Sequence, residues 1–445
     1  MPADTKQFPL RNEGGAIAYV LKGYPRLTDT FITSEVYRME QQGLRLRVFV
    51  IKPCTEPVPS DLLDKIAAKP VYMPDTTSMS KSSLFRWLSA NLKHFLPSFR
   101  RVIRKHPLGV LRAAGAAFAQ AVRARKKFWS WPRKVYAKEF LQGVMLADML
   151  EQAADVRHIH GHYCHGATTV TWFASMMAKL PFSFTAHAKD IYLPSLNPAG
   201  LLRRKMDAAR FVITCTDANR DYLDNLGSKT PVHCIYHGLN AEFCDIMREQ
   251  PGGRSTNGHF RVLGVGRLIP NKGFDILVQA CAILHQQHVP FEAVIVAEGG
   301  EHEKEIRRLI TTNGLEKNVL LPGPMSQSQL FDEYKKASAF CLPCRVLENG
   351  DRDGIPNVLM EAMAVGVPVV STPISGIPEL IHDGVNGLMV PSEDARALAD
   401  AFLRLIHDSR LAAGLSRNAQ ETIEARFNGD KLAVRMASLL RECAA

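Results

Sequence analysis

The chain has 445 residues, 46% of them hydrophobic, with 55 Lys and Arg against 44 Asp and Glu and a formal net charge of +11. A single core rarely grows beyond about 250 to 300 residues, so this chain is expected to bury two. No uninterrupted apolar run reaches the roughly 18 residues of a spanning helix, residues 1–15 hold no apolar stretch of a secretory leader, and nine scattered cysteines fit a reducing compartment rather than a disulfide framework. These features exclude an integral membrane protein and a disulfide scaffold, and predict a cytoplasmic one.

In the first half the candidate strands are AIAYVL (16–21), LRVFVI (46–51), HIHGHY (158–163), FSFTAH (182–187) and FVITCT (211–216), alternating with helical patterns. Between the second and third lies a segment, 81–138, with 15 Lys or Arg and no Asp or Glu, which leaves the rest of the chain net acidic. Within it Leu84, Leu88, Leu92, Phe95, Phe99 and Val102 fall near helical spacing beside Arg86, Lys93, Arg100, Arg101 and Arg104, and Phe128, Trp129 and Trp131 follow. Pro97 interrupts the pattern and predicts two shorter helices. The mixture points to a helix on an anionic membrane surface, the alternative being a solvated insertion whose apolar stripe packs on its own domain. A one-signed stretch of this length repels itself unless an anionic partner offsets it. No zinc-finger, RNP-type or helix-turn-helix signature accompanies the charge, so nucleic acid is not the expected partner.

Four histidines follow in HIHGHYCH. Strand alternation puts His158, His160 and His162 on one face, a plausible metal-ligand set; His165 comes after. His187 closes the next strand and is followed by Asp190. The run QPGGRSTNG, 250–258, is polar and rich in glycine and reads as a hinge between two domains, 1–249 and 259–445.

After the hinge the βαβ alternation is clean: RVLGV, a helix from about Phe274, FEAVIVA, a charged helix, VLLPG, another helix, AFCLPC, a helix near Pro356, then PVVST. Such alternation gives a parallel sheet with ligands at the carboxyl ends of its strands. Cys341 and Cys344 form a lone CxxC, read as core and loop residues. The loop GRLIPNKG carries Gly266, Arg267 and Lys272. It lacks the third glycine of a dinucleotide fingerprint, and Lys272 precedes Gly273 where a phosphate-loop pattern needs the reverse, yet two cations on one strand-to-helix loop can hold a diphosphate. In DGIPNVLMEAM, Pro356 suits the first helical position, and the free N–H groups around Gly354, Ile355 and Asn357 make a phosphate pocket. Asp353 and Glu361 would be repelled by phosphate and are expected to face something neutral, such as sugar hydroxyls; the alternative is a capped helix with Asp353 as cap and Glu361 in solvent.

GRLIPNKG together with DGIPNVLMEAMAVGVPVVSTPISGIPELIHDGVNGLMVP resembles the C-terminal half of family-4 glycosyltransferases, retaining enzymes built from two facing Rossmann-like α/β domains, the GT-B fold. AIAYVLKGYPRLTDTFITSEVYRMEQQGLRLRVFVI, FSFTAHAKDIY and IYHGLNAEF are similar to the family's first strand and helix, histidine loop and end of the N-terminal domain, most of all in its bacterial exopolysaccharide, colanic-acid-type branch. The resemblance implies a nucleotide-diphosphate sugar as donor, with no cofactor and no metal, and makes His158, His160 and His162 lining of the cleft, metal ligation being the lesser alternative. It implies that Arg267, Lys272 and the helix start hold the diphosphate, Glu361 the ribose, Asp353 the donor sugar, and His187 the transferred sugar. Two departures stand out: Asp353 is one methylene shorter than the family's usual glutamate, and Ala297 replaces the first glycine of a Gly-x-Gly turn. On the acceptor side, Gly23 and Tyr24 in the loop 22–26, with His162 and Asp190, would face a saccharide, expected to be lipid-linked and met at the inner face of the membrane. The last helix is expected to pack back on the N-terminal domain. The rival reading from another class is a non-catalytic, membrane-associated scaffold that retains a nucleotide-sugar pocket.

Overall fold

The computed structural model describes residues 14–26, 30–54, 61–79, 82–249 and 259–444. Residues 1–13, the hinge at 250–258 and Lys81 lie outside the described residues. The first unit runs β1 (Ala16–Leu21), α1 (Thr30–Gln41), β2 (Leu46–Val50), α2 (Asp61–Lys65), β3 (Val71–Tyr72), α3 (Leu84–Lys105), α4 (Pro107–Arg123), α5 (Val135–Gln152), β4 (Val156–His162), α6 (Ala167–Ala178), β5 (Phe182–Ala186), α7 (Ala188–Tyr192), α8 (Leu201–Ala208), β6 (Val212–Thr214), α9 (Asp217–Asp224), β7 (Val232–Cys234) and α10 (Ala241–Glu249). The second runs β8 (Phe260–Val265), α11 (Phe274–Gln286), β9 (Phe291–Val296), α12 (Glu303–Thr312), β10 (Val319–Gly323), α13 (Gln327–Lys336), β11 (Ala339–Leu342), α14 (Asn357–Val365), β12 (Val369–Ser371), α15 (Ile377–Leu380), β13 (Leu388–Met389), α16 (Ala395–His407), α17 (Ser409–Arg426) and α18 (Gly429–Ala444).

Two parallel sheets result, in the orders β3-β2-β1-β4-β5-β6-β7 and β10-β9-β8-β11-β12-β13. Central strands of such sheets are covered on both faces, which explains why β1 is an unbroken apolar run buried throughout. Its alternate residues serve two cores. Ala16, Ala18 and Val20 pack toward α3 to α6, while Ile17, Tyr19 and Leu21 pack toward α1 and α18. The last helix, α18, thus leaves the second unit and covers the first sheet through Ala433, Met436, Ala437 and Leu440, with Asp430 paired to Arg38 at 2.8 Å.

The basic insertion departs from expectation. α3 runs unbroken through Pro97 instead of splitting in two. Pro97 and Lys93, whose carbonyl the missing N–H would have engaged, lie on the exposed side, and the helix is pinned on both sides of the proline. Phe95 and Val102 sit in the core, and Ser98 and Arg101 grip Asp148 of α5 at 2.7 Å and 2.6 to 2.8 Å. Leu84, Leu88 and Phe99 are half-buried against the same core, so most of the predicted membrane stripe packs on its own domain. A different set is open to solvent: Phe85, Leu108, Leu111, Phe118, Phe128, Trp129 and Trp131. No helix of the described residues is long and apolar enough to cross a membrane.

The two faces of α3 predict opposite outcomes. Phe95→Ala should cost about 3 to 5 kcal/mol in urea unfolding, as deletion of a buried ring does. Phe85→Ala, on the open side, should change stability by less than about 0.5 kcal/mol.

Candidate active site

The loop after β8 is shaped by backbone contact. Pro270–Lys272 form a 3-10 turn ended by Gly273 at φ +71°. A Cβ on Gly273 would stand 1.9 Å from the Pro343 carbonyl oxygen, so no side chain fits there. Arg345 braces the turn: its N–H reaches the Asn271 carbonyl at 3.0 Å, its Nε the Pro270 carbonyl at 2.9 Å, and its Nη1 the Asp275 carboxylate at 2.9 Å. The 297–301 loop joins in, Leu268 N–H donating to Gly299 at 2.8 Å. Gly266 donates to the Val296 carbonyl at 3.0 Å. Arg267 is exposed and makes no ion pair among the described residues.

Lys272 and Asp353, predicted on separate loops, meet: Nζ to Oδ2 is 3.0 Å, and the Cys344 thiol adds a contact at 3.7 Å. Burial of the Lys272 ammonium works against its charge, but the Asp353 carboxylate outweighs it and the pKa is raised. The expectation that Asp353 faces a neutral group is therefore corrected; it holds a cation. α14 begins at Asn357, with Pro356 at the cap position in an extended conformation (ψ 127°), one residue earlier than the first-turn place expected of it, and Asp353 is not the cap. Gly354, Ile355 and Asn357 are half-buried at this helix start. Glu361 lies in the second turn as read, but is buried instead of solvated. It accepts from Tyr334 Oη at 2.9 Å and Asn240 Nδ2 at 3.4 Å. Burial raises its pKa to about 7 against these two donors.

The opposite wall is built from the first unit. His187 follows β5, and its Nδ1 is 3.3 Å from Nε2 of His237, the rings stacked with centroids 5.2 Å apart; Phe31 lies 5.2 and 4.5 Å from the two rings. Burial lowers both pKa values, that of His237 to about 4, so both imidazoles are neutral. His187 Nε2 is buried without a partner. Asp190 is turned away from any acceptor: its carboxylate accepts the His187 N–H at 2.8 Å and the Cys164 N–H, fixing the histidine loop. His162, at the end of β4, pairs with Glu35 at 2.9 Å, and Glu35 also accepts from Tyr19 at 3.0 Å. His158 and His160 do not line a cleft. They are buried against β5, bonded to Ser183 at 2.7 and 2.8 Å, and His160 also to Thr185 at 2.9 Å. Tyr24 and His162 are likewise buried, and so is Gly23, so none of these three predicted acceptor-side residues is open to a ligand.

The walls touch. The Cβ direction of Gly354 points to Ala188 at 3.8 Å and Cys215 at 3.7 Å. Lys189 pairs with Asp351 at 3.2 Å, and the Arg352 guanidinium lies 4.2 Å from the Tyr192 ring centroid. Glu379 accepts the N–H groups of Asp217 and Ala218 at 2.8 Å each, at the start of α9. Side chains among the described residues that could hold a metal are Glu35 with His160 and His162, His187 with Cys215 and His237, and Asp217 with Cys234 and Glu379. Sequence reasoning did not single out Glu35, His237, Arg345 or Glu379. Glu35, His237 and Glu379 had a signal in their place within the quoted segments, and Arg345 had none.

Residues 259–408 match the family model described as Glycosyl transferases group 1. The amylovoran biosynthesis glycosyltransferase AmsK of Erwinia amylovora is 39% identical over 184 residues, covering 41% of this chain and 45% of that protein, so the match spans less than half of that relative. Among solved structures, sucrose-phosphate synthase from Thermosynechococcus elongatus superposes with TM-score 0.67 at 18% identity over 96% of this chain and 98% of the other. Anabaena Alr3699/HepE in complex with UDP-glucose gives 0.64 at 20% identity over 96% and 100%. The glycosyltransferase resemblance read from the motifs agrees with the match over 259–408, and the fold is that of two Rossmann-like domains, GT-B.

Glu361 carries a pH signature. Its carboxyl has an ordinary value of 4.5 unfolded and about 7 folded, so its protonated form favours the native state. That contribution is complete below the unfolded value and is lost as the pH rises through the folded one, a swing of up to about 3 kcal/mol. Glu139, also raised to about 7 by burial, acts in the same direction, so the comparison needed is with Glu361→Gln. From about pH 5 to about pH 8, urea midpoints should fall less in that variant than in the parent.

Proposed function

We propose that the protein is a retaining glycosyltransferase that moves a sugar from a nucleotide-diphosphate donor to a lipid-linked saccharide at the inner face of a bacterial membrane, in exopolysaccharide assembly. The observation that carries this reading is the pairing of two unlike walls: Arg267, Lys272 and the start of α14 on one, and the unpartnered His187 Nε2 on the other, joined where Gly354 meets Ala188. The name of AmsK supports the exopolysaccharide setting, and UDP-glucose in the Anabaena structure supports a nucleotide sugar as donor.

The chemistry follows from charge. When the bond between the anomeric carbon and the diphosphate oxygen breaks, the electron pair leaves with the diphosphate, and two cations with a helix N-terminus stabilise it there. Arg267 offers a planar fork, Lys272 a point charge. His187, held neutral, hydrogen-bonds a sugar hydroxyl without adding charge near the cationic carbon. With the diphosphate drawing Lys272 away, Asp353 is freed for a hydroxyl of the donor sugar, and Glu361 takes the ribose. Retention implies that the acceptor oxygen attacks on the face the diphosphate leaves, passing its proton to a departing phosphate oxygen. The loop 22–26, whose Lys22 is exposed, faces the acceptor.

The test incubates purified protein with a panel of nucleotide sugars, with and without a membrane lipid extract, and follows release of nucleoside diphosphate. Lipid-dependent release from one donor is expected, insensitive to a chelator, and Lys272→Ala should slow it at least about a hundredfold. Binding of a nucleotide sugar without release in any arm would favour the scaffold reading instead.

A further inference from the structure

α4 is apolar on two faces, and only one is covered. Its inner face, with Val110, Ala113, Ala117 and Ala121, is buried against α5 and α6, so closely that a Cβ on Gly109 would lie 2.8 Å from the Met176 carbonyl oxygen. Its outer face carries Leu108, Leu111 and Phe118, which are 68, 66 and 68% exposed. Their spacing, three then seven residues, is that of one helical stripe, and Gly115 between them has nothing within 4 Å. The stripe leads to a turn in which Trp129 and Trp131 are 91 and 92% exposed beside Phe128. This turn is built. Arg125 donates to the Phe128 carbonyl at 3.0 Å, Ser130 to the Lys127 carbonyl at 2.8 Å, and Arg133 N–H to the Ala121 carbonyl at 3.0 Å, tying it back to the last turn of α4.

Around these apolar groups stand Arg104, Arg112, Arg123, Lys126 and Lys127, all exposed and in no ion pair among the described residues. Of the acids on α5, Asp148 is engaged by Arg101 at 2.6 Å, Glu151 by Lys105 at 2.9 Å, and Glu139 is buried. A partner for this face must cover aliphatic and aromatic side chains and supply negative charge together. A second copy would bring like charges against one another. An anionic bilayer supplies phosphates at the level of the guanidinium and ammonium groups and acyl chains beneath, with indoles at the boundary they favour.

We propose that the outer face of α4 and the 128–131 turn form a docking surface for anionic phospholipid. The surface differs from the α3 stripe suggested by periodicity, most of which is buried. It rests on the proposed transferase reading for its purpose only: holding the acceptor side near a lipid-linked saccharide.

The experiment uses the full chain and vesicles of phosphatidylcholine alone or with an equal part of phosphatidylglycerol. Of four tryptophans, Trp87 and Trp172 are already buried, so a blue shift of emission on adding vesicles reports Trp129 and Trp131. The expected result is co-sedimentation and a blue shift with the anionic vesicles only, both weakened by salt. Trp129→Ala with Trp131→Ala, or Leu108→Ser with Leu111→Ser and Phe118→Ser, should lower the partition at least about tenfold. Trp129→Phe with Trp131→Phe should keep binding and lose the shift. Parent-like sedimentation of both disrupted variants, or binding of the parent without a shift, would overturn the proposal. So would self-association of the parent that these substitutions abolish, since the occupant would then be a second copy. Diphosphate release with lipid extract is measured in parallel: its absence for every donor in a parent that still docks counts against the transferase reading alone.

Discussion

The relation between the two sheets depends on one carboxylate. The first N–H groups of a helix have no partner within it, and at α9 two of them are taken by Glu379 from the other domain, which also accepts from Tyr236 at 2.9 Å. Burial and the neighbouring Glu379 charge push the Tyr236 phenol up, so it stays a donor. The contact demands close approach: a Cβ on Gly376 would lie 2.4 Å from the Thr216 methyl carbon. With that distance set, the Asp353 loop comes to rest against the histidine loop, and residues from opposite domains share one cleft.

Within the cleft, opposite charges are placed by different means. Lys272 is carried by a turn that only glycine can close, with Arg345 clamping its carbonyls, whereas Asp353 rides on an irregular stretch fastened to the other domain by Lys189 and Arg352. The cation is therefore fixed within its domain and the anion is fixed between domains. On the proposed function, an anionic donor entering between them would exchange one partner of Lys272 for another, so the ammonium would not be desolvated anew.

Buried parallel strands are legible because they are continuous apolar runs, and β8 to β12 fall within a residue or two of their expected places. β3, β7 and β13 span two or three residues and leave no pattern to read. The two cations of the loop 266–273 were legible from residue type and position, but the pairing of Lys272 was not, since Lys272 and Asp353 stand far apart in sequence. The same holds for His187 with His237. In the basic segment, composition announced an unusual surface and periodicity chose the wrong face of it. A helix such as α4, apolar nearly all round, does not say which side is covered; α5 and α6 decide that.

The return of α18 to the first sheet bears on the order of folding. Ile17, Tyr19 and Leu21 form their core with Ala433, Met436 and Leu440, contacts that span nearly the whole sequence. During synthesis the first sheet can gather α3 to α6 on one side while its other side, short of α18, keeps apolar surface open until the second sheet has been made. The first domain is thus a late finisher despite being first translated, and its unfinished face is where a nascent chain would need shelter from aggregation.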